Sequence, residues 1–245
     1  MVSSDETGVI LTLGIDTAGP ATSVALVQGE QCLAAFSLWQ PATVSRPLLR
    51  LIDLVCMQTG CKLADVAALA VNIGPGAFTG IRVGLATAQG LAFAYDKPII
   101  GCSAFDALVS LAPHWQGALC PVIQARQGEV YAAFYRRQGN VVRETAPGMV
   151  VTPAALSALV TEPTLFMGSG VRVHGAGLVG ALGVRAICID TTDAETGLAV
   201  SVARIGHVRL QTVGLEALPV PQPLYVRPAD ARLPLIAANA AGRGL

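Results

Sequence analysis

Apolar positions along this chain follow two periods, one near two residues and one near 3.6. Residues 9–16 form a nearly unbroken apolar run, which predicts a buried strand. Residues 22–28 and 31–38 follow as strands joined by Gly29-Glu30, a hairpin signal. The period then lengthens. Leu48, Leu51, Ile52 and Val55 recur at helical spacing, predicting a helix over Ser45–Thr59 that Gly60 stops. Residues 66–73 read as a strand, 79–95 as a helix, 98–101 as a short strand and 103–111 as a helix. The order is βββαβαβα.

After Ala112-Pro113 the same order begins again, roughly 110 residues downstream of the first. Residues 118–124, 129–136 and, more weakly, 140–144 are predicted strands. Residues 153–160 are a helix with Thr152 as N-cap and Pro153 at its first position. A strand at 164–167, a Gly-rich helix at 171–182, a strand at 185–189 and a helix at 193–210 complete the set. No residue-level identity links the halves, so the repeat rests on element order. A duplicated βββαβαβα unit is the plan of the actin-like (ASKHA) α/β fold. It divides the chain into similar subdomains at 1–112 and 113–223, with a tail at 224–245 expected to run extended and end in disorder near 237–245.

Composition narrows the function classes. The 245 residues allow one large or two small domains. With 53% hydrophobic and only 13% charged residues, disorder is excluded for most of the length. Sixteen basic side chains balance sixteen acidic ones, so no broad nucleic-acid footprint exists, and the low-charge surface points to cover by another subunit. No apolar stretch is long enough to span a membrane, and the first basic residue is Arg46, against a secretory signal. The six cysteines contain no CxxC pair, which excludes a zinc ribbon or thioredoxin motif. His114, His174 and His207 are too far apart in sequence for a helix-borne metal site, so no metal is expected.

The candidate chemistry lies in turns. Leu13-Gly14-Ile15-Asp16-Thr17-Ala18 ends the first strand with an acid and small residues. Asp16 and Thr17 are read either as a phosphate-facing loop, vestigial for nucleotide, or as side chains capping the turn. The matching turn of the second half carries Gln124, an amide that serves neither as base nor as metal-neutralising acid. Asn72-Ile73-Gly74-Pro75-Gly76-Ala77-Phe78-Thr79-Gly80-Ile81-Arg82-Val83-Gly84 is neither a Walker loop nor a dinucleotide fingerprint. It reads as a strand-to-helix turn that favours an anion through Gly74, Gly76, Thr79, Gly80 and Arg82, with Thr79 capping the helix and Phe78 stapling onto Val83. Gly80, Gly84 and Ala88 share one helical face. Glycine costs about 1 kcal/mol in a helix interior, so the face calls for close approach of another backbone, from this chain or a partner. Gly101-Cys102-Ser103-Ala104-Phe105 lacks the last Gly of a nucleophile elbow, and Ser103 reads as a helix N-cap. Arg136-Arg137 with Arg143 reads as a solvated strand face or a small basic patch.

Four segments carry a family resemblance: the Asp16 turn; residues 74–84 with Ala88-Gln89-Gly90-Leu91-Ala92; Ala125-Arg126-Gln127-Gly128-Glu129-Val130-Tyr131; and Leu224-Tyr225-Val226-Arg227. The chain resembles the TsaB (YeaZ) family, accessory subunits for making threonylcarbamoyladenosine in tRNA. The resemblance implies an actin-like fold, no catalytic residues, no cofactor and a scaffold role. The implied partners are the homologous catalytic subunit TsaD and the small ATPase TsaE, with tRNA reached only through the complex, a homodimer when alone, and a cytoplasmic location. The expected partner face is Gly80, Gly84 and Ala88 with Leu48 and Leu51. Two departures stand out: Gln124 replaces a common family Asp, and Thr43-Val44-Ser45 replaces a frequent His. The alternative is a small actin-fold ATP-dependent kinase, resembling the short pantothenate kinases.

Overall fold

Two five-stranded mixed sheets repeat one another in a computed structural model that describes residues 10–39, 45–126, 128–191, 197–213 and 220–226. The first holds β1 (Leu11–Asp16), β2 (Ala21–Gln28), β3 (Gln31–Trp39), β4 (Ala68–Asn72) and β5 (Ile99–Cys102), in the order β3-β2-β1-β4-β5. The second holds β6 (Gly117–Gln124), β7 (Val130–Gln138), β8 (Val141–Val151), β9 (Thr164–Met167) and β10 (Ala186–Cys188), in the order β8-β7-β6-β9-β10. Each begins with an antiparallel hairpin pair and continues with parallel strands. The helices are α1 (Ser45–Thr59), α2 (Phe78–Tyr95), α3 (Ala104–Val109), α4 (Pro153–Ala158), α5 (Ser169–Leu182) and α6 (Leu198–Val213). This duplicated order is the actin-like plan.

The apolar run of β1 is buried on both faces, as a central strand requires. Leu11, Leu13 and Ile15 join Leu48, Leu51, Ile52 and Val55 of α1 in one core. The opposite face of β1 is covered by α6, so closely that a Cβ on Gly14 would lie 2.1 Å from the Ala199 carbonyl oxygen. The expected caps form: Ser103 Oγ accepts from the Asp106 N–H at 3.0 Å, and Thr152 Oγ1 from Ala155 N–H at 3.2 Å. β8 runs to Val151, well beyond the weak strand expected at 140–144, because register shifts opposite β7 let the pairing continue past Glu144.

The division at residue 112 separates the strands but not the helices. α3, from the first half, packs on β6 and β7, while α6, from the second half, packs on β1, β2 and β4. Ala68, Ala70, Phe105, Leu108, Leu119, Leu165 and Val202 form one shared core between the sheets. Asp106 on α3 fastens it, accepting from Tyr135 Oη of β7 at 3.0 Å and pairing with Arg209 of α6 at 2.8 Å. α6 continues to Val213, and residues 220–226 lie on the first half, where Leu224 N–H donates to Ile73 O at 2.8 Å. The expected disorder at 237–245 lies outside the described residues.

Candidate functional site

The end of β1 and the end of β4 lie side by side, because Ile15 pairs with Val71. Asp16 is therefore next to Asn72, and both are about 1% exposed. Asp16 Oδ1 accepts from Asn72 Nδ2 at 2.8 Å and from the Ala18 N–H at 3.0 Å. Oδ2 is buried with no hydrogen-bond partner. Burial pushes the carboxyl up to about 6, against the two donors that pull it down. Asn72 in turn accepts from the Gly74 N–H at 2.9 Å, so one polar chain holds both turns.

Thr17 is equally enclosed. Its hydroxyl donates to Gly80 O at 2.7 Å in the first turn of α2. A Cβ on Gly80 would lie 1.9 Å from Thr17 O, and one on Gly84 2.2 Å from Thr17 Oγ1. The close approach that the glycine stripe called for is thus made by the chain's own β1 turn. Ala88 is fully buried, and Leu48 and Leu51 belong to the core. The expected partner face of Gly80, Gly84, Ala88, Leu48 and Leu51 is corrected accordingly: all five point inward.

The turn read as anion-favouring is packed from within. Ala18 O accepts from Ala77 N–H at 2.7 Å and fills the space beside Gly76, where a Cβ would lie 2.2 Å away. Gly74 N–H is spent on Asn72. The N-cap is Ala77, without a side-chain bond, and Thr79 is an exposed residue of the first turn rather than the cap. The Phe78 ring packs on that of Tyr225, tilted by 33° with 5.4 Å between centroids. Arg82 turns outward onto the same rings, its Cζ 3.7 Å from the Phe78 centroid, and its Nε donates to Tyr225 Oη at 2.9 Å.

The outer side of the neighbouring helices α1 and α2 carries what the glycine stripe does not. Phe93 is 93% exposed, Met57 68% and Leu49 49%. A Cβ on Gly90 would meet nothing within 4 Å. The sequence reading passed over these residues because α2 is apolar over most of its length, and such a helix reads as buried. The signal was present: the buried face at Gly80, Gly84 and Ala88 leaves Phe93 on another side.

In the second half, Gln124 ends β6 where Asp16 ends β1, but it is exposed and its Nε2 donates to its neighbour's carbonyl, Ala125 O, at 3.1 Å. Of the three arginines, Arg136 stands opposite Arg143 across β7 and β8 and pairs with Glu162, whereas Arg137 is buried and reaches Val109 O at 3.3 Å. A cleft of about 300 Å3 opens at the other end of β6 from Gln124, between Phe134, Met149, Leu159 and the Arg136–Glu162 pair. Among the described residues, no three of His, Cys, Asp and Glu gather as metal ligands, and no helix is long and apolar enough to cross a membrane.

A family profile described as "TsaD: tRNA N6-adenosine threonylcarbamoyltransferase" matches residues 43–175. The chain is 26% identical to the tRNA threonylcarbamoyladenosine biosynthesis protein TsaB of Bacillus subtilis over 71% of its own length and 77% of that protein. It is 40% identical to the TsaB of Escherichia coli, over 52% of this chain and 56% of that protein, so that match spans about half of the relative. Its structure superposes on YeaZ from Pseudomonas aeruginosa with a TM-score of 0.69, 26% identity, and coverage of 87% of this chain and all of the other.

Proposed function

The chain belongs to the TsaB (YeaZ) family of tRNA threonylcarbamoyladenosine biosynthesis proteins, and from that membership we propose that it serves the same modification as a non-catalytic scaffold subunit. It docks a TsaD-type catalytic subunit on the outer faces of α1 and α2. A TsaE-type ATPase joins that pair, tRNA is met through the assembly, and the free chain pairs with itself on the same face in the cytoplasm. The observation that carries this reading is Phe93, almost fully exposed on α2, with Met57 and Leu49 exposed on the adjoining α1. A large aromatic left exposed on a helix near other exposed apolar side chains is the usual anchor of a protein interface. Catalytic silence is supported by Asp16, sealed where a phosphate-handling acid must reach its ligand, and by Gln124 in the matching place.

The test is co-purification with a TsaD-type subunit, read by light scattering behind size exclusion. The expected result is a heterodimer that Phe93→Asp abolishes while the variant's melting temperature is unchanged. The isolated chain should turn over no ATP. Binding that survives Phe93→Asp refutes the docking face. ATP turnover that Asp16→Ala removes refutes the scaffold reading and favours the kinase.

A further inference from the structure

Arg82 is the only charged residue from Val66 to Tyr95. It lies on the exposed side of α2, on the stripe that continues through Ala86 and Gly90 to Phe93. Its guanidinium is held from two directions. Phe78 lies under its plane at 3.7 Å, and Tyr225, delivered by residues 220–226, takes its Nε proton. Tyr225 is itself placed by the backbone bond from Leu224 to Ile73. Phe78 and Tyr225 stay about 40% exposed, so the clamp stands at the surface rather than in the core. No carboxylate pairs with Arg82 among the described residues.

This arrangement leaves the edge formed by the two terminal nitrogens free. That edge matches the two oxygens of one carboxylate. The ring stack and the tyrosine bond have already removed most of the rotamer freedom that an arginine gives up on binding. A lone cation within an apolar stripe suits a single ion pair enclosed by an interface. Nucleic-acid backbones are held by several cations together, and none stands beside Arg82 on α2.

We propose that Arg82 is a carboxylate anchor: the Phe78–Tyr225 clamp presents its guanidinium to an Asp or Glu side chain of the protein docked on α1 and α2. This rests on the docking reading above and adds to it the kind of group the partner must offer and a role for residues 220–226. The clamp sets the orientation of the partner, while the apolar stripe supplies most of the buried area.

The experiment measures affinity of the full chain for the TsaD-type subunit by calorimetry. Arg82→Gln and Arg82→Lys are each expected to weaken binding roughly tenfold to a hundredfold, since an ammonium does not reproduce the fork. Tyr225→Phe, which keeps the ring but loses the acceptor, is expected to weaken it a few-fold. Arg82→Glu is then paired with partner variants in which each acidic residue of the docking surface is changed in turn to Arg; one of them should restore binding. If Phe93→Asp abolishes binding but Arg82→Gln leaves it unchanged, the anchor is refuted and the docking face stands. If neither variant changes binding, both fall. Loss of affinity for labelled tRNA in Arg82→Gln, with protein binding intact, overturns the carboxylate in favour of phosphate.

Discussion

Two glycines in one helix should respond in opposite ways to the same methyl group. Gly84 and Gly90 both lie inside α2, and replacing either with alanine removes the helix-propensity penalty of about 1 kcal/mol. At Gly90 nothing lies within 4 Å of the new Cβ, so the whole gain is kept. At Gly84 the Cβ would fall 2.2 Å from Thr17 Oγ1, far inside van der Waals contact. Either the helix moves, at an overpacking cost of about 1–3 kcal/mol, or Thr17 rotates away and leaves Gly80 O without its 2.7 Å partner, at a cost of about 1–3 kcal/mol. The net expectation is a gain of about 1 kcal/mol for Gly90→Ala and a loss of about 0–2 kcal/mol for Gly84→Ala. For a chain of this size, 1 kcal/mol moves the midpoint by roughly 2–4 °C. Calorimetric melting of both variants at low concentration, where self-association does not contribute, should therefore separate them by about 2–12 °C. Equal stabilisation by the two alanines would show that Gly84 does not abut the β1 turn, and the inward packing of the stripe would be wrong.

Two further outcomes follow from buried polar groups. Asp16 binds its proton more tightly folded than unfolded, so its contribution favours folding most below pH 4, declines as pH rises from 3.8 towards about 6, and is flat above. An amide in its place cannot ionise but puts hydrogens where Oδ2 has no partner, so Asp16→Asn should raise stability by about 1–2 kcal/mol at pH 8 and by almost nothing at pH 4. Urea melts across that range check it, and a variant destabilised at pH 8 would contradict the sealed carboxylate. Arg209→Ala removes the pair with Asp106 that joins α6 to α3; because both groups are partly exposed, the expected loss is only about 1–2 kcal/mol, read as a lower urea midpoint, and an unmoved midpoint would mean the pair does not fasten the shared core.

The strands and helices were legible because each has one dominant period. Ser45–Thr59 and Thr164–Met167 match their predicted limits, and the Gly29 turn is where the hairpin signal put it. What covers each face was not legible. The apolar run of β1 says that both sides are buried; it does not say that one side is covered by a helix from the other half. The glycine stripe of α2 announced a close backbone but carried no mark of whose backbone it was, and it proved to be Thr17. Phe93 was missed for the converse reason, since an exposed phenylalanine and a core phenylalanine leave the same imprint on an apolar helix. Tyr225 was seen as part of a motif, but its contact with Arg82 spans 143 residues and has no local signature.

The crossed helices have a consequence for synthesis on the ribosome. The first sheet is complete once β5 emerges, yet the face of β1 and β4 that α6 covers stays bare until the chain has been made to Val213. From the end of the first half that is about 100 residues, or roughly 5–20 s of translation at ordinary rates. Throughout that interval the nascent chain presents Thr12, Gly14 and Ala70 as an unroofed sheet with no helix to close it. The duplicated halves therefore cannot mature one after the other. Their commitment to the native state is deferred to the arrival of the last helix, and a nascent-chain chaperone has its longest window of engagement on the half that was made first.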